Sequence, residues 1–143
     1  MKLVSRYAGP LHALAILWLL LSRQLLSRSP GVIAVQVAAV ALSVWARAAF
    51  PPGQFSVHPE PKQPRLIEAG PYRWLRHPMY TAAQALVWSG ALQHRTVVNL
   101  AIAAALLAAV IVRIADEEKL LRERIPGYAD YALRTKRFVP FVF

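Results

Sequence analysis

The sequence predicts an all-α, polytopic membrane protein with about four transmembrane helices, the last two forming a helical hairpin, plus a cytosolic helical C-terminal tail. Three observations predict it. Hydrophobic residues make up 57% of the 143-residue chain and charged residues 17%, against roughly 25% charged in a typical soluble domain. Four apolar runs approach the roughly 20 residues that a helix needs to span the hydrocarbon core. The lysines and arginines sit mostly at the ends of those runs, so the net charge of +10 points to a membrane face rather than to nucleic acid. The length suits one domain, and the chain reads as a single integral membrane domain over residues 1–143.

The first span is expected over residues 8–26, centred on the unbroken apolar stretch Leu14–Leu21, with Arg23 close enough to its end to snorkel. Lys2 and Arg6 ahead of it also fit a signal peptide. However, the nearest small-x-small site, Ser27-Arg28-Ser29, is followed directly by Pro30 and then by a second apolar run, so cleavage is not expected. The second span covers 31–50 and stops at Pro51-Pro52-Gly53. The third, 77–93, is the shortest and carries Gln84 and Ser89. The fourth, 96–115, has Asn99 near its start and Arg113 near its end. His94-Arg95 is a tight connection, which makes spans three and four an antiparallel hairpin.

Four spans put both termini on one side, together with a loop over 51–76 and a tail over 116–143. That side holds 14 of the 17 lysines and arginines; only Arg23, Arg28 and Arg95 fall opposite. By the positive-inside rule the termini, loop and tail are cytoplasmic. A chain rich in Ala, Leu and Arg points to a bacterial inner membrane. There is no cysteine, which excludes a disulfide framework, a Cys-ligated zinc and a Cys nucleophile. No metal site is expected.

The loop carries prolines at 51, 52, 59, 61, 64 and 71, which limit its conformational freedom. It ends in Gly70-Pro71-Tyr72-Arg73-Trp74-Leu75-Arg76-His77-Pro78-Met79-Tyr80. Gly70-Pro71 is a turn signal, and Pro78 suits the first turn of a helix, where its missing N–H costs little. His77 then sits where unsatisfied N–H groups point outward and favour an anion such as a carboxylate. An aromatic and basic interface belt would explain the same residue types. At the other end of the hairpin, helical continuation places Arg113 and Glu117 one turn apart. The acids Asp116, Glu117 and Glu118 are unfavourable against an anionic leaflet and sensible if a cation binds there. A solvated helix paired internally with Lys119 and Arg122 is the alternative. After Pro126-Gly127, Tyr128 and Tyr131 share a helical face, and Arg134, Lys136, Arg137 and the terminal aromatics suit the lipid interface.

Together these segments resemble the isoprenylcysteine carboxyl methyltransferase family, including its prokaryotic members and the related phospholipid methyltransferases, over about Leu66 to Pro140. Three blocks carry the resemblance. Gly70 to Tyr80 is similar to the family's Gly-Pro-Tyr-x-x-x-Arg-His-Pro-x-Tyr. Arg113 with Glu117-Glu118 is the second. Tyr128 and Tyr131 followed by Arg137-Phe138-Val139-Pro140 look like the closing Tyr-x-x-Tyr and Arg-Phe-x-Pro elements. The resemblance implies S-adenosylmethionine as methyl donor, in a site built from the last two spans and the tail. Cofactor contacts would come from Pro64, Arg65, Leu66 and Ile67 of the loop, from Tyr72, from His77, Pro78, Met79 and Tyr80, and from Glu117. Glu118 belongs to an acidic pair that phospholipid methyltransferases use similarly, and Arg113 matches a position associated with the methyl acceptor.

The chemistry agrees with that resemblance. Carboxylates can take an ammonium or ribose hydroxyls, aromatic rings can flank adenine or a sulfonium, and Arg113 can grip an acceptor carboxylate with two parallel bonds. The expected acceptor is lipophilic, most simply a carboxylate, and reaches the site from the bilayer; membrane lipids are the expected surroundings and nucleic acid is not a partner. Such an acceptor needs no general base, so alignment would do most of the catalysis. Where many relatives carry a small Gly-containing pattern, this chain has Thr81-Ala82-Ala83. Two other functions fit less of the sequence. A nicotinamide-dependent membrane reductase would share the C-terminal helical arrangement, but its cofactor phosphate would ask for more cations than Glu117 and Glu118 leave. A non-enzymatic scaffold would bind anionic lipid through Arg134, Lys136 and Arg137.

Overall fold

The computed structural model describes residues 2–23, 27–51 and 66–138. Among them are five α-helices: α1 (Lys2–Leu21), α2 (Pro30–Ala48), α3 (Pro78–His94), α4 (Val97–Arg124) and α5 (Tyr128–Arg134). A 3-10 helix, Gly70–Arg73, precedes α3. The described residues form no strand, only an isolated parallel bridge between Leu75 and Lys136.

Every predicted span is helical, with shifted bounds. α2 and α3 each begin at a proline, Pro30 and Pro78, whose fixed φ and absent N–H suit the first turn. α1 starts ahead of residue 8 and passes through Pro10; residues 24–26 of the expected span lie outside the described residues. The helix of the fourth span continues past 115, as the expected spacing of Arg113 and Glu117 requires, and runs to Arg124, because Asp116–Arg124 is rich in good helix formers with no break before Pro126-Gly127. The first part of the tail is thus an unbroken extension of α4. At about 1.5 Å per residue, the 28-residue α4 is about 42 Å long, longer than the roughly 30 Å hydrocarbon core. Its charged last turns extend past the apolar part, which ends at Ala115.

Among the described residues two helices, α2 and α4, are long and apolar enough to cross a membrane, fewer than the four expected. In α1 the apolar run is confined to Pro10–Leu21. α3 has 17 residues, about 26 Å, and Gln84 and Ser89 lower its apolar character. Both shorter helices are nevertheless packed into the same bundle. α3 lies against α1, α2 and α4, and α1 also packs on α4. Ala15, Leu19, Val87, Ala91, Ala103 and Leu106 form the shared core. Alanines 39, 46, 82, 91 and 103 of α2, α3 and α4 are nearly fully buried; small side chains let backbones approach when lipid supplies no hydrophobic drive. Outward from this core point Leu14, Leu17 and Trp18 of α1, Val37, Val40 and Val44 of α2, and Val98 and Ile111 of α4. So many large apolar groups exposed along three helices suit an apolar solvent.

The polar residues of the third span have partners within the bundle. The Gln84 amide donates to His12 Nε2 at 2.7 Å and accepts from Trp88 Nε1 at 3.0 Å. Gln36 of α2 donates to Ser89 of α3 at 3.3 Å. The α3–α4 connection is as tight as expected. Arg95 adopts the left-handed conformation at φ 48°, and Thr96 caps α4 by accepting from the Asn99 N–H at 3.2 Å.

One glycine is constrained on two counts. Gly70 has φ +58°, and a Cβ there would lie 3.2 Å from Trp45 Nε1 and 3.3 Å from the Ala49 Cβ. The left-handed conformation costs an L-residue about 1–2 kcal/mol, and the α2 contact leaves little room to relax. Gly70→Ala is expected to lower stability by about that amount, read as an earlier thermal unfolding midpoint in detergent.

Candidate functional site

The site lies where the 3-10 turn, the start of α3, the emergent turns of α4 and the α5 segment meet. The 3-10 helix is fixed against the end of α2 by Phe50 packing edge-on to Tyr72 (5.4 Å between centroids) and by Trp45 against Trp74 (5.9 Å). This fixes the approach of the chain to α3 and thereby the position of His77.

Two linked clusters occupy the centre. In the first, the Tyr80 hydroxyl donates to Glu117 Oε1 at 2.7 Å, and Arg113 Nε donates to the same oxygen at 3.2 Å and also to the Tyr80 hydroxyl oxygen. The Arg113 guanidinium lies 5.6 Å from the Tyr80 ring centre, and the His77 ring stacks on Tyr80 at 5.7 Å. In the second, Arg76 Nε donates to Glu118 Oε1 at 2.8 Å and Arg137 Nη2 donates to Glu118 Oε2 at 3.0 Å. His77 joins the two. Its Nδ1 lies 3.6 Å from Glu117 Oε2 and its Nε2 3.4 Å from Glu118 Oε1. These contacts are electrostatic rather than aligned hydrogen bonds, and the buried Nε2 makes none.

The α5 segment closes over this region through backbone and side-chain bonds. The Arg76 N–H donates to the Lys136 carbonyl and the Lys136 N–H to the Trp74 carbonyl, both at 2.8 Å. Arg76 Nη1 donates to the Ala132 and Thr135 carbonyls, each at 2.6 Å. The Tyr131 hydroxyl donates to the Tyr72 carbonyl at 2.8 Å, and the Thr81 hydroxyl donates to the Phe138 carbonyl. Thr81 thus helps to hold the tail, while Ala82 is buried.

Glu118 lies beyond the apolar part of α4. Burial works against its charge, but His77, Arg137 and Arg76 outweigh that and hold its carboxyl down at about 2. It is therefore ionised at any ordinary pH. Burial pushes the Tyr72, Tyr128 and Tyr131 hydroxyls well up, so all three remain neutral.

Of the residues singled out from sequence, His77, Tyr80, Arg113, Glu117 and Glu118 come together. Pro78 is buried at the first turn of α3 and Tyr72 in the 3-10 helix. Pro64 and Arg65 lie outside the described residues. Leu66 packs on the cluster of Ile125, Tyr128 and Tyr131 beneath the tail, and Ile67 beside it is half-buried. Met79 turns to the other side of α3, where it lines an open groove with Ser43, Val44, Arg47, Ala48 and Phe50 of the α2 end. The partners of Glu118 are Arg76 and Arg137, not the Lys119 and Arg122 of the solvated-helix alternative; Arg122 stacks over Tyr128 at 5.9 Å. Arg76 is the residue that sequence reasoning missed. The available signal was its place directly before His77, in a stretch facing three acids that needed counter-charges.

A helical hairpin with one membrane-length arm, bearing Arg, Tyr and paired Glu at its polar end, defines a membrane-associated class of protein. The chain belongs to the phospholipid methyltransferase family, whose profile matches residues 29–126. It is also similar to two curated proteins. One is the nickel-cobalt-cadmium resistance protein NccN of Alcaligenes xylosoxydans xylosoxydans, 35% identical over 82 residues, covering 55% of this chain and 38% of that protein. The other is the cobalt-zinc-cadmium resistance protein CzcN of Cupriavidus metallidurans, 34% identical over 82 residues, covering 55% and 37%. The matched segment thus spans well under half the length of either relative. No solved structure matches the chain.

Proposed function

We propose that this protein is an S-adenosylmethionine-dependent methyltransferase at the cytoplasmic membrane face, acting on a lipophilic acceptor, most simply a carboxylate, that enters from the bilayer. The family supports methyl transfer over the reductase and scaffold alternatives. The observation that carries the finer reading is the part-buried Arg113–Tyr80–Glu117 cluster beside His77. In this reading all four bundle helices cross the membrane as one domain, with both termini cytoplasmic.

The donor set fits the cofactor. Glu117 retains 15% exposure of its side chain against 5% for Glu118, so it is the acid better placed to take an ammonium. His77 Nε2 already faces Glu118 Oε1 at 3.4 Å, so a ligand carboxylate would be taken by the outward-pointing N–H groups at the start of α3. When bound, the cofactor supplies an electrophilic methyl group on a positively charged sulfur. Arg113 orients the acceptor carboxylate through its fork of donors, and no proton has to be removed from an acceptor that is already ionised. Tyr80 stays a neutral donor between Arg113 and Glu117 and fixes their spacing. The low-dielectric surroundings strengthen each of these contacts, so the residues work mainly by alignment.

Calorimetric titration of the detergent-solubilised protein with S-adenosylhomocysteine tests this reading. Glu117→Ala is expected to weaken binding by about 10- to 100-fold, the worth of a hydrogen bond to a charged group. Equal affinity of wild type and variant would remove Glu117 from the site. Competition by NADPH with no binding of S-adenosylhomocysteine would favour the reductase alternative.

A further inference from the structure

The two adjacent glutamates have different surroundings. Glu117 faces Tyr80, Arg113 and His77, whereas Glu118 is held by Arg76 and Arg137 and has a 5% exposed side chain. Arg76 is itself 8% exposed at its side chain, and it joins three parts of the molecule. Its Nε reaches α4 at Glu118, its Nη1 reaches the Ala132 and Thr135 carbonyls at the end of α5, and its own N–H reaches Lys136. Guanidinium is suited to this because its donors diverge in one plane, whereas an ammonium is a point charge. The last carbonyls of a short helix are also groups that need donors.

We infer that Arg76 and Glu118 are positioning residues, an ionic clasp that holds the 128–138 segment over the start of α3 and leaves Glu117 as the carboxylate that meets the ligand. This inference rests on the proposed cofactor and divides the acidic pair into one ligand-facing and one structural member. Glu118 is unsuited to a ligand's ammonium, because two arginines already occupy its oxygens and releasing Arg76, 8% exposed at its side chain, would strand a buried cation. The clasp acts on the whole pocket. The chain from Trp74 to His77 is bonded on one side to the segment that Arg76 ties down, and His77 touches both carboxylates. Loosening the clasp therefore disturbs every ligand contact together, while loss of Glu117 removes one.

The test uses the full chain in detergent and two probes, S-adenosylhomocysteine and 5′-methylthioadenosine, which share the adenosyl group but differ in the amino-acid portion. Affinities are measured for both, together with hydrogen exchange at the Lys136 amide. Glu117→Gln should weaken S-adenosylhomocysteine by about tenfold, leave methylthioadenosine unchanged and leave Lys136 protected. Arg76→Lys and Glu118→Gln should each weaken both probes by the same factor and speed Lys136 exchange at least about tenfold. If Arg76→Lys does not fold, Arg137→Gln gives the same pattern more weakly, since that side chain is 40% exposed. Selective loss of S-adenosylhomocysteine in Glu118→Gln would make Glu118 a ligand contact and overturn the inference, as would unchanged Lys136 exchange in Arg76→Lys. If wild type bound neither probe while Arg76→Lys still released Lys136, the cofactor reading would fall and the clasp would stand as the anchor of the tail.

Discussion

Glu118→Ala is expected to destabilise the protein by about 3–5 kcal/mol, the usual consequence of removing one member of a buried ion pair. Its partner Arg76 is 8% exposed at the side chain and keeps only the carbonyls of Ala132 and Thr135. Arg137, at 40% exposure, can turn to water and contributes little to the loss. The effect also has a pH signature. The folded-state carboxyl is held at about 2, below its ordinary 4.5. A depressed carboxyl stabilises the fold fully above its unfolded value, and that contribution is lost as the pH falls through the folded one. The gap in stability between wild type and Glu118→Ala should therefore be constant above about pH 4.5 and shrink as the pH falls from there towards 2. Thermal unfolding in detergent across that window measures both quantities. A gap independent of pH would mean that the ion pair is not its source.

Arg113→Ala is expected to lower the turnover of methyl transfer by about 100-fold or more, the scale of a small misplacement of a reacting group. Arg113→Lys should recover little of it, because the flat fork is what orients a carboxylate. Affinity for the methyl donor should change far less, since Glu117 keeps the Tyr80 hydroxyl. Without ligand, removing Arg113 leaves Glu117 short of a counter-charge in a half-buried position, so the variant should be less stable alone and recover more stability than wild type on adding S-adenosylhomocysteine. Single-turnover kinetics with labelled donor separates the two effects. Equal losses in donor affinity and turnover would place Arg113 at the cofactor instead of the acceptor.

Much of the architecture was legible because its causes are local. Prolines 30 and 78 mark helix starts, Pro126-Gly127 marks a stop, and the apolar runs mark the bundle. Two features were harder to read. The change from apolar to charged residues marks the end of the apolar span but does not tell how far the helix runs beyond it; Asp116–Arg124 keeps good helix formers, so the backbone continues to Arg124 where the solvent changes. The apolar run alone likewise overstated α1 and α3 as self-sufficient spans. α3 carries Gln84 and Ser89 because neighbouring helices bond them, which is tertiary information. At the site, the pairing of Arg113 with Glu117 follows from helical spacing and was foreseen. The ties from Arg76 to Glu118 and from Tyr131 to Tyr72 join residues 42 and 59 apart in sequence, and no local rule supplies them. Lys119 and Arg122 were the nearest cations in sequence, yet the chain reversal at Gly127 brings Arg137 to Glu118 instead. Gly127 can make that reversal because it adopts φ 81°.

Methyl transfer by the cluster at the ends of α3 and α4 is the activity proposed for this membrane-associated chain. It is tested most directly by incubating the purified protein with methyl-labelled S-adenosylmethionine and a membrane lipid extract, and following label into the organic phase. The account predicts transfer by wild type, with the label released by mild base if the product is a methyl ester, and strongly reduced transfer by Glu117→Ala and Arg113→Ala. Transfer of equal extent by wild type and both variants, or no transfer by a folded wild type that also fails to bind S-adenosylhomocysteine, would contradict it.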